Sequence, residues 1–357
     1  MKKSCCILIL LVFGIITSSL SQPYPFSSLI TSIKYDKKSK QQLAPGSDNF
    51  QVTWADDNNQ YAAWGDGGGF GGTNSNGRVK LGVARIEGDK DSYRGYNVWG
   101  GFKAENPAQF EGKSWGMLCV DSVLYMWVTT EKHPHTEEVT LAYSTDHGAH
   151  WTKSDVTFYN TENMSIPTFL QFGKNYARAI DDYVYSYFIH SLLMTEDFGV
   201  SIPGKIYLAR VLKTDILDKS KYEYFSGMSD STPTWTPTLE NKRPVFENNA
   251  EGVGWNLSVS YNSPLERYFL MTEHNESHAG YHGMFDAPNP WGPWTTVEYG
   301  SGNWLGYGST FFRCFSNKWL SPDGRDFVMI YTGTNWVGTN DAWNYIEGSF
   351  ILEGKSN

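Results

Sequence analysis

The chain has 357 residues and a formal charge of −9, from 29 Lys and Arg against 38 Asp and Glu, with no clustered basic stripe. An acidic chain of this kind lacks the electrostatic footprint that a nucleic-acid backbone requires, so nucleic acid is excluded as a partner. Aromatic residues are in excess, 14 Trp, 22 Tyr and 20 Phe beside 35 Gly, and such rings fill all-β cores as readily as they stack on sugars.

The N-terminus joins Lys2 and Lys3 to an apolar run from Cys5 to Ile16, followed by Thr17-Ser18-Ser19-Leu20-Ser21. This is a signal-peptide pattern, too short to anchor in a bilayer. Residues 1–21 are therefore expected to be cut from a bacterial protein that is secreted or periplasmic, without stable membrane insertion. Cys5 and Cys6 begin the apolar run and Gln22 follows the expected cut, so no lipid-bearing cysteine is expected. Loss of Lys2 and Lys3 takes the charge from −9 to −11 and leaves Cys119 and Cys314, both within apolar runs. Two cysteines do not make a disulfide scaffold, and these are expected as buried free thiols. Residues 22–44 read as an N-terminal segment and 45–357 as one domain.

Few stretches carry a 3.6-residue apolar period. Short β-branched and aromatic runs recur instead between Gly, Asn, Asp and Pro turns, an all-β pattern. The second strand of each repeat aligns as Tyr61-Ala-Ala-Trp-Gly-Asp, Leu124-Tyr-Met-Trp-Val-Thr, Tyr183-Val-Tyr-Ser-Tyr-Phe, Tyr268-Phe-Leu-Met-Thr-Glu and Phe327-Val-Met-Ile-Tyr-Thr, with spacings of 63, 59, 85 and 59. A third strand follows at Leu81, Val139, Ile206 and Tyr345. Five such sheets, none able to bury its faces alone, predict a five-bladed β-propeller. The 85-residue interval holds a polar insertion from Lys213 to Lys242, expected to be a loop between the third and fourth blades. Ser144-Thr-Asp146-His-Gly148-Ala-His-Trp151 matches the Asp-box of propeller hairpins, in which Asp146 caps a turn, Gly148 takes positive φ and Trp151 packs between blades.

In a propeller, loops entering the first strand of a blade and leaving the second open on one face. In the first blade, Ser47-Asp48-Asn49 enters the strand expected at 50–55, and the strand at 60–65 leaves into Asp66 and a glycine run. Pairing Ala55 with Gln60 sets position 48 opposite 67, with Asp66 one residue away. Cross-strand neighbours lie about 5 Å apart and diagonal ones about 7–8 Å, which spans the spacings of retaining and inverting glycosidases. Glycoside hydrolysis needs one protonated and one ionised carboxyl, which a crowded pair supplies. Asp48 and Asp66 are equally readable as turn caps, and the glycine run as close backbone approach to a ligand or as flexibility.

Glu251 and Glu273 take the matching places in the fourth blade as auxiliary acids. Asp182 is a further acid, in a segment that also reads as a turn. His274, His278 and His282 have a metal-like spacing only on a helix, and Asn, Ser and Gly around them predict a loop, so neither metal nor cofactor is expected. Trp115, Trp255 and Trp304 are expected as sugar platforms, and Trp54, Trp64 and Trp127, inside strands, as core. Tyr307 and Lys318 complete the substrate-binding set, and are the groups that a polysaccharide lyase would use.

Ser47-Asp48-Asn49-Phe50 through Asp57, Trp64-Gly-Asp66-Gly, Leu118 through Trp127, Phe172 through Asp182 and Val259 through Arg267 together resemble the domain of unknown function 4185, associated with endo-D-arabinanases of glycoside hydrolase family 183. The resemblance covers nearly the whole mature chain. It implies a five-bladed propeller that cuts D-arabinofuranosyl polymers through paired acids, with retention, the matching acids being Asp48 and Asp66. The sequence departs from the family at Arg178-Ala179-Ile180-Asp181 and at Lys213 to Lys242, loops of the kind that shape subsites. The expectation is a monomeric, secreted glycoside hydrolase acting on a polysaccharide or oligosaccharide. A non-catalytic glycan-binding propeller and a polysaccharide lyase are its rivals.

Overall fold

The computed structural model describes residues 22–129, 137–190, 199–333 and 341–354; the expected signal peptide lies outside them. The chain is all-β, with only single 3-10 turns as helix. Strand β1 (Ile30–Leu43) precedes a first antiparallel sheet of β2 (Asp48–Trp54), β3 (Gln60–Gly65), β4 (Leu81–Glu87) and β5 (Arg94–Trp99). A second sheet holds β6 (Lys113–Val120), β7 (Val123–Thr129), β8 (Glu138–Ser144) and β9 (Thr152–Tyr159). Next come β10 (Ser165–Gln171), β11 (Tyr183–Ile189), β12 (Val200–Ser201), β13 (Gly204–Leu212), β14 (Glu223–Ser229), β15 (Thr232–Thr236), β16 (Pro244–Asn248) and β17 (Val253–Gly254). They lead to β18 (Ser258–Asn262), β19 (Arg267–Thr272), β20 (Gly283–Ala287) and β21 (Thr295–Tyr299), and then to β22 (Phe311–Phe315), β23 (Asp326–Thr332) and β24 (Trp343–Leu352).

The β10–β11–β13 group and the β18–β21 group form one ten-stranded sheet, because β10 and β18 pair in parallel through Leu170↔Val259 and Gln171↔Ser260. The other inner strands are tied side by side through single hydrogen bonds. Asn49 Nδ2 donates to Ser114 O (3.1 Å) and Cys119 N–H to Thr53 Oγ1 (3.0 Å), joining β2 to β6. Gln171 Nε2 donates to Met117 O (2.7 Å), joining β10 to β6, and Ser258 Oγ to Arg313 O (2.5 Å), joining β18 to β22. Cys314 Sγ reaches Phe50 O (3.6 Å), which returns the circuit to β2. Successive contacts advance in one direction, as Asn49–Ser114 is followed by Thr53–Cys119, so the strand starts share one rim and the first hairpin turns share the other.

The second strands β3 and β7 are buried on both faces along nearly their whole length. Their sequences therefore run mainly apolar, whereas the inner strands β2 and β18 alternate apolar residues with buried polar ones, Asn49, Gln51 and Thr53 in β2 and Ser258, Ser260 and Asn262 in β18. Aromatic side chains fill the space between sheets: Trp127 stacks on Phe169 (5.6 Å, 22°), and Trp343 meets Phe50 edge to face (5.2 Å, 86°). The Asp-box turn has the expected form. Asp146 Oδ1 accepts from Ser144 Oγ (2.8 Å) and from the His150 amide (2.9 Å), Gly148 has φ +86°, and Trp151 Nε1 donates to Gly148 O (3.1 Å). Cys119 and Cys314 are buried free thiols.

Two expectations are corrected. The segment 22–44 is not separate from the other sheets, because β1 pairs with β24 and forms the outer strand of the sheet β1-β24-β23-β22. The insertion from Lys213 to Lys242 is not a loop, because β14 and β15 form a hairpin that extends β13. Tyr222, Tyr224 and Phe225 are buried there, and Tyr222 packs edge to face on Phe158 of the neighbouring sheet (5.5 Å).

Candidate active site

The hairpin β2–β3 carries Asp48 and Asp66 to the rim where inner strands begin. Its register differs from the expected one. Trp54, not Ala55, opposes Gln60, and a bulge between Asp48 and Gln51 sets Asp48 against Gly65 instead of position 67. Asp66 remains one residue from that partner. The glycine run is explained by the chain itself: a Cβ on Gly67 (φ +67°) would come within 2.2 Å of Gly46 O, and the Gly69 amide donates to Ser47 Oγ (2.9 Å). The loop after Asp66 is packed tightly onto the residues that precede Asp48, and that contact replaces both ligand approach and flexibility as the reason for the run.

The two carboxylates stand in contrasting environments. Asp66, with φ +52°, is ion-paired to Lys113 Nζ (2.7 Å) and Arg78 Nη2 (3.2 Å). Among the described residues no hydrogen bond reaches the Asp48 carboxyl, and no backbone N–H caps either acid. Burial pushes the Asp48 carboxyl up to about 8; Lys113 opposes that shift, and the charges of Asp341 and Asp66 add to it. Asp341 is itself raised by burial, with His278 opposing, and its carbonyl accepts from the Gly46 amide (2.7 Å).

Glu273 and Glu251 lie on the same side of the fourth antiparallel group but are engaged with the protein. Glu273 is 1% exposed and accepts from Asn256 Nδ2 (2.8 Å), Ser277 Oγ (3.1 Å) and the His278 amide (3.0 Å). Glu251 Oε2 accepts from Tyr299 OH (3.0 Å) and stands 2.8 Å from His274 Nδ1. Burial lowers His274 to about 4, with His282 and Arg313 adding to the shift. The three histidines diverge: His274 lies against Glu251, His282 lies 3.1 Å from Glu298, and His278 packs on Phe311 (4.4 Å). Their spacing does not gather them around a common centre.

Trp115 and Trp255 meet edge to face at this rim (5.5 Å, 86°) but are only 3% and 4% exposed, so they are packed into the core and are not the open sugar platforms expected. Trp304 is 3% exposed and enclosed by Tyr35 (5.3 Å), Tyr331 (5.1 Å) and the Arg313 guanidinium (4.6 Å), so it is core and not a platform. Tyr307 is half-buried, parallel to Tyr331 (6.2 Å), with Lys40 Nζ 4.0 Å from its ring centre. Trp64 and Trp127 are fully buried, whereas Trp54 at the end of β2 keeps some exposure.

Asp182 and Lys318 fall on the opposite rim. Asp182 is 91% exposed and pairs with Lys213 (3.6 Å) in the turn before β11, while Asp181 caps that turn through the Tyr183 amide (2.9 Å). Lys318 follows β22 and donates to Asn58 O in the β2–β3 turn (2.7 Å). Tyr307 precedes β22 and Lys318 follows it, so the strand separates the two groups that a lyase would need together.

Lys113, Arg78 and Asp341 are not among the residues expected from sequence. A signal for Lys113 was present, since it opens β6 as Asp48 opens β2. Arg78 and Asp341 arrive through long connections that carry no repeat.

No curated protein matches the chain. Solved structures similar to it include the RS223 β-xylosidase, at 11% identity over 90% of this chain and 96% of that one (TM-score 0.55). A putative hydrolase from Bacteroides ovatus is 11% identical over 86% and 87% (TM-score 0.53). An endo-arabinase from Bacteroides thetaiotaomicron is 13% identical over 94% and 100% (TM-score 0.50). At these identities the likeness is one of fold. No helix among the described residues is long and apolar enough to cross a membrane. The family model described as domain of unknown function DUF4185 matches residues 114–314, more than half of the 357 residues. The chain belongs to the DUF4185 family.

Proposed function

We propose that the protein is a secreted, monomeric glycoside hydrolase that cuts a D-arabinan-like polysaccharide internally, at the open rim of a five-bladed β-propeller. The circuit of inner strands supports the architecture, and neighbours titled endo-arabinase and β-xylosidase support carbohydrate as the substrate. The observation that carries the reading is one hairpin bearing two acids with opposed surroundings, Asp48 half-buried and raised by desolvation to about 8, Asp66 held by Lys113 and Arg78.

That division assigns the chemistry. Asp48, protonated at neutral pH, gives its proton to the glycosidic oxygen as the bond to the anomeric carbon breaks. An Asp66 oxygen bonds to that carbon, and the ion pairs to Lys113 and Arg78 hold this carboxylate in position. The Asp48 carboxylate then takes a proton from water, which displaces Asp66 and returns both acids to their starting forms. Both acids act from one hairpin, and retention of configuration is the outcome proposed for them, which requires carboxyl groups about 5–5.5 Å apart. Trp115 and Trp255, both buried, back the wall of this rim, and Asp341 adds negative charge that favours the protonated form of Asp48.

The test is incubation of the secreted protein with a glycan panel that includes mycobacterial arabinogalactan, with chromatography of the products and NMR of the first-formed anomer. Oligosaccharides from D-arabinan with retained configuration are expected. Affinity for a glycan with no product after long incubation refutes hydrolysis in favour of a binding propeller.

A further inference from the structure

His278 is left over by the two-acid chemistry, and its surroundings fix where its proton lies. Ser277 Oγ has one proton and two lone pairs. Trp255 Nε1–H, which can only donate, points at it from 2.8 Å. Glu273 Oε2 lies 3.1 Å away on another side, already accepting from Asn256 Nδ2, while Glu273 Oε1 accepts the His278 amide. A carboxylate accepting at both oxygens takes the single hydroxyl proton of Ser277. The remaining lone pair of Ser277 faces His278 Nδ1 at 3.0 Å. The proton of the neutral ring therefore sits on Nδ1, and Nε2 is a bare acceptor.

The ring is held in place for that purpose. It packs against Phe311 (4.4 Å) and Trp255 (5.4 Å), and its backbone sits at φ +62°, a left-handed conformation that a residue with a bulky side chain adopts at a cost. Among the described residues no hydrogen bond to Nε2 is found, and the Asp341 carboxyl is an acid on which the charge of this ring acts. The neighbourhood is that of the acids. Phe311 is paired with Thr332, whose Oγ1 accepts from the amide of Asn49, next to Asp48. Trp255 meets Trp115, two residues from the Lys113 that holds Asp66.

We propose that His278 is a substrate-binding residue whose Nε2 accepts a hydrogen bond from a hydroxyl group of the bound glycan, with Ser277 and Glu273 as positioning residues that fix its tautomer. The ligand class rests on the hydrolase reading; the tautomer does not.

Two-bond proton–nitrogen NMR of the imidazoles, with the His278 signal assigned by its loss in His278→Gln, is expected to show Nδ1 protonated and Nε2 bare. A D-arabinan oligosaccharide titrated into Asp48→Asn protein is expected to move the Nε2 resonance. In the active enzyme, His278→Asn keeps an amide near Nδ1 but loses the acceptor, and is expected to raise KM about threefold to tenfold with kcat little changed, the worth of one hydrogen bond. His278→Gln, whose amide reaches the Nε2 position, is expected to recover part of the loss. A proton on Nε2, or an unmoved Nε2 with a wild-type KM in His278→Asn, overturns the proposal. If the wild type cuts no glycan yet Nε2 shifts on titration, the hydrolase reading falls and this one stands; cleavage with an unmoved Nε2 sinks this one alone.

Discussion

Replacing Asp48 by Asn probes the half-buried acid through stability as well as rate. The Asp48 carboxyl is raised from 3.8 to about 8 in the folded chain. A folded-state value above the unfolded one means that the stabilising form is the protonated one. Its contribution is full below about pH 4, declines as pH rises and is exhausted above about pH 8. Between pH 5 and pH 8 the unfolded chain has released this proton and the folded chain still holds it, a slope of about 1.4 kcal/mol per pH unit and roughly 4 kcal/mol over the window. Asp48 keeps some contact with the open rim, so solvent screening reduces the expected effect to about 2 kcal/mol. The stability advantage of Asp48→Asn over wild type should therefore grow by about that amount from pH 5 to pH 8, or about 3 °C in melting temperature for a chain of this length. Differential scanning calorimetry of both proteins at several pH values measures it. A variant whose advantage is flat with pH, or that loses stability at pH 8, refutes the claim that Asp48 is a half-buried, protonated acid.

Lys113→Met removes the nearer cation from Asp66; kcat should fall by about tenfold or more while KM changes little, and initial-rate kinetics decide. Asp182→Asn and Lys318→Met, on the far rim, should leave kcat/KM within about twofold of wild type in the same assay. Wild-type kcat/KM should fall as pH rises through about 8, because the proton that Asp48 donates is then lost; a profile flat to pH 10 contradicts that role. Trp127→Ala, which empties the space between β7 and the aromatic rings of the neighbouring sheet, should cost about 3–5 kcal/mol by denaturant titration.

The fold was legible where burial left the sequence no choice. Tyr61, Leu124, Tyr183, Tyr268 and Phe327, aligned from pattern alone, lie in β3, β7, β11, β19 and β23, second strands packed on both faces and therefore mainly apolar. Edge elements escaped notice because half of each faces water. In β1, Lys34, Lys37, Lys38 and Lys40 obscure the strand until β24 supplies its partner, and in β15 Pro233 and the threonines resemble a loop until β14 is present. The candidate acids were legible as a pair because one hairpin carries both. Lys113, Arg78 and Asp341 were not, since their approach depends on contacts between sheets and on long connections that local pattern does not encode. Trp304 was misplaced because position before a strand does not distinguish a rim ring from one enclosed by Tyr35, Tyr331 and Arg313.

The most direct measurement compares reducing-end release from D-arabinan by wild type, Asp48→Asn and Asp66→Asn, each first shown by circular dichroism to be folded. If the two acids carry the reaction, the wild type gives product and neither variant gives any above background. Wild-type rates in a folded Asp48→Asn or Asp66→Asn protein would contradict that claim.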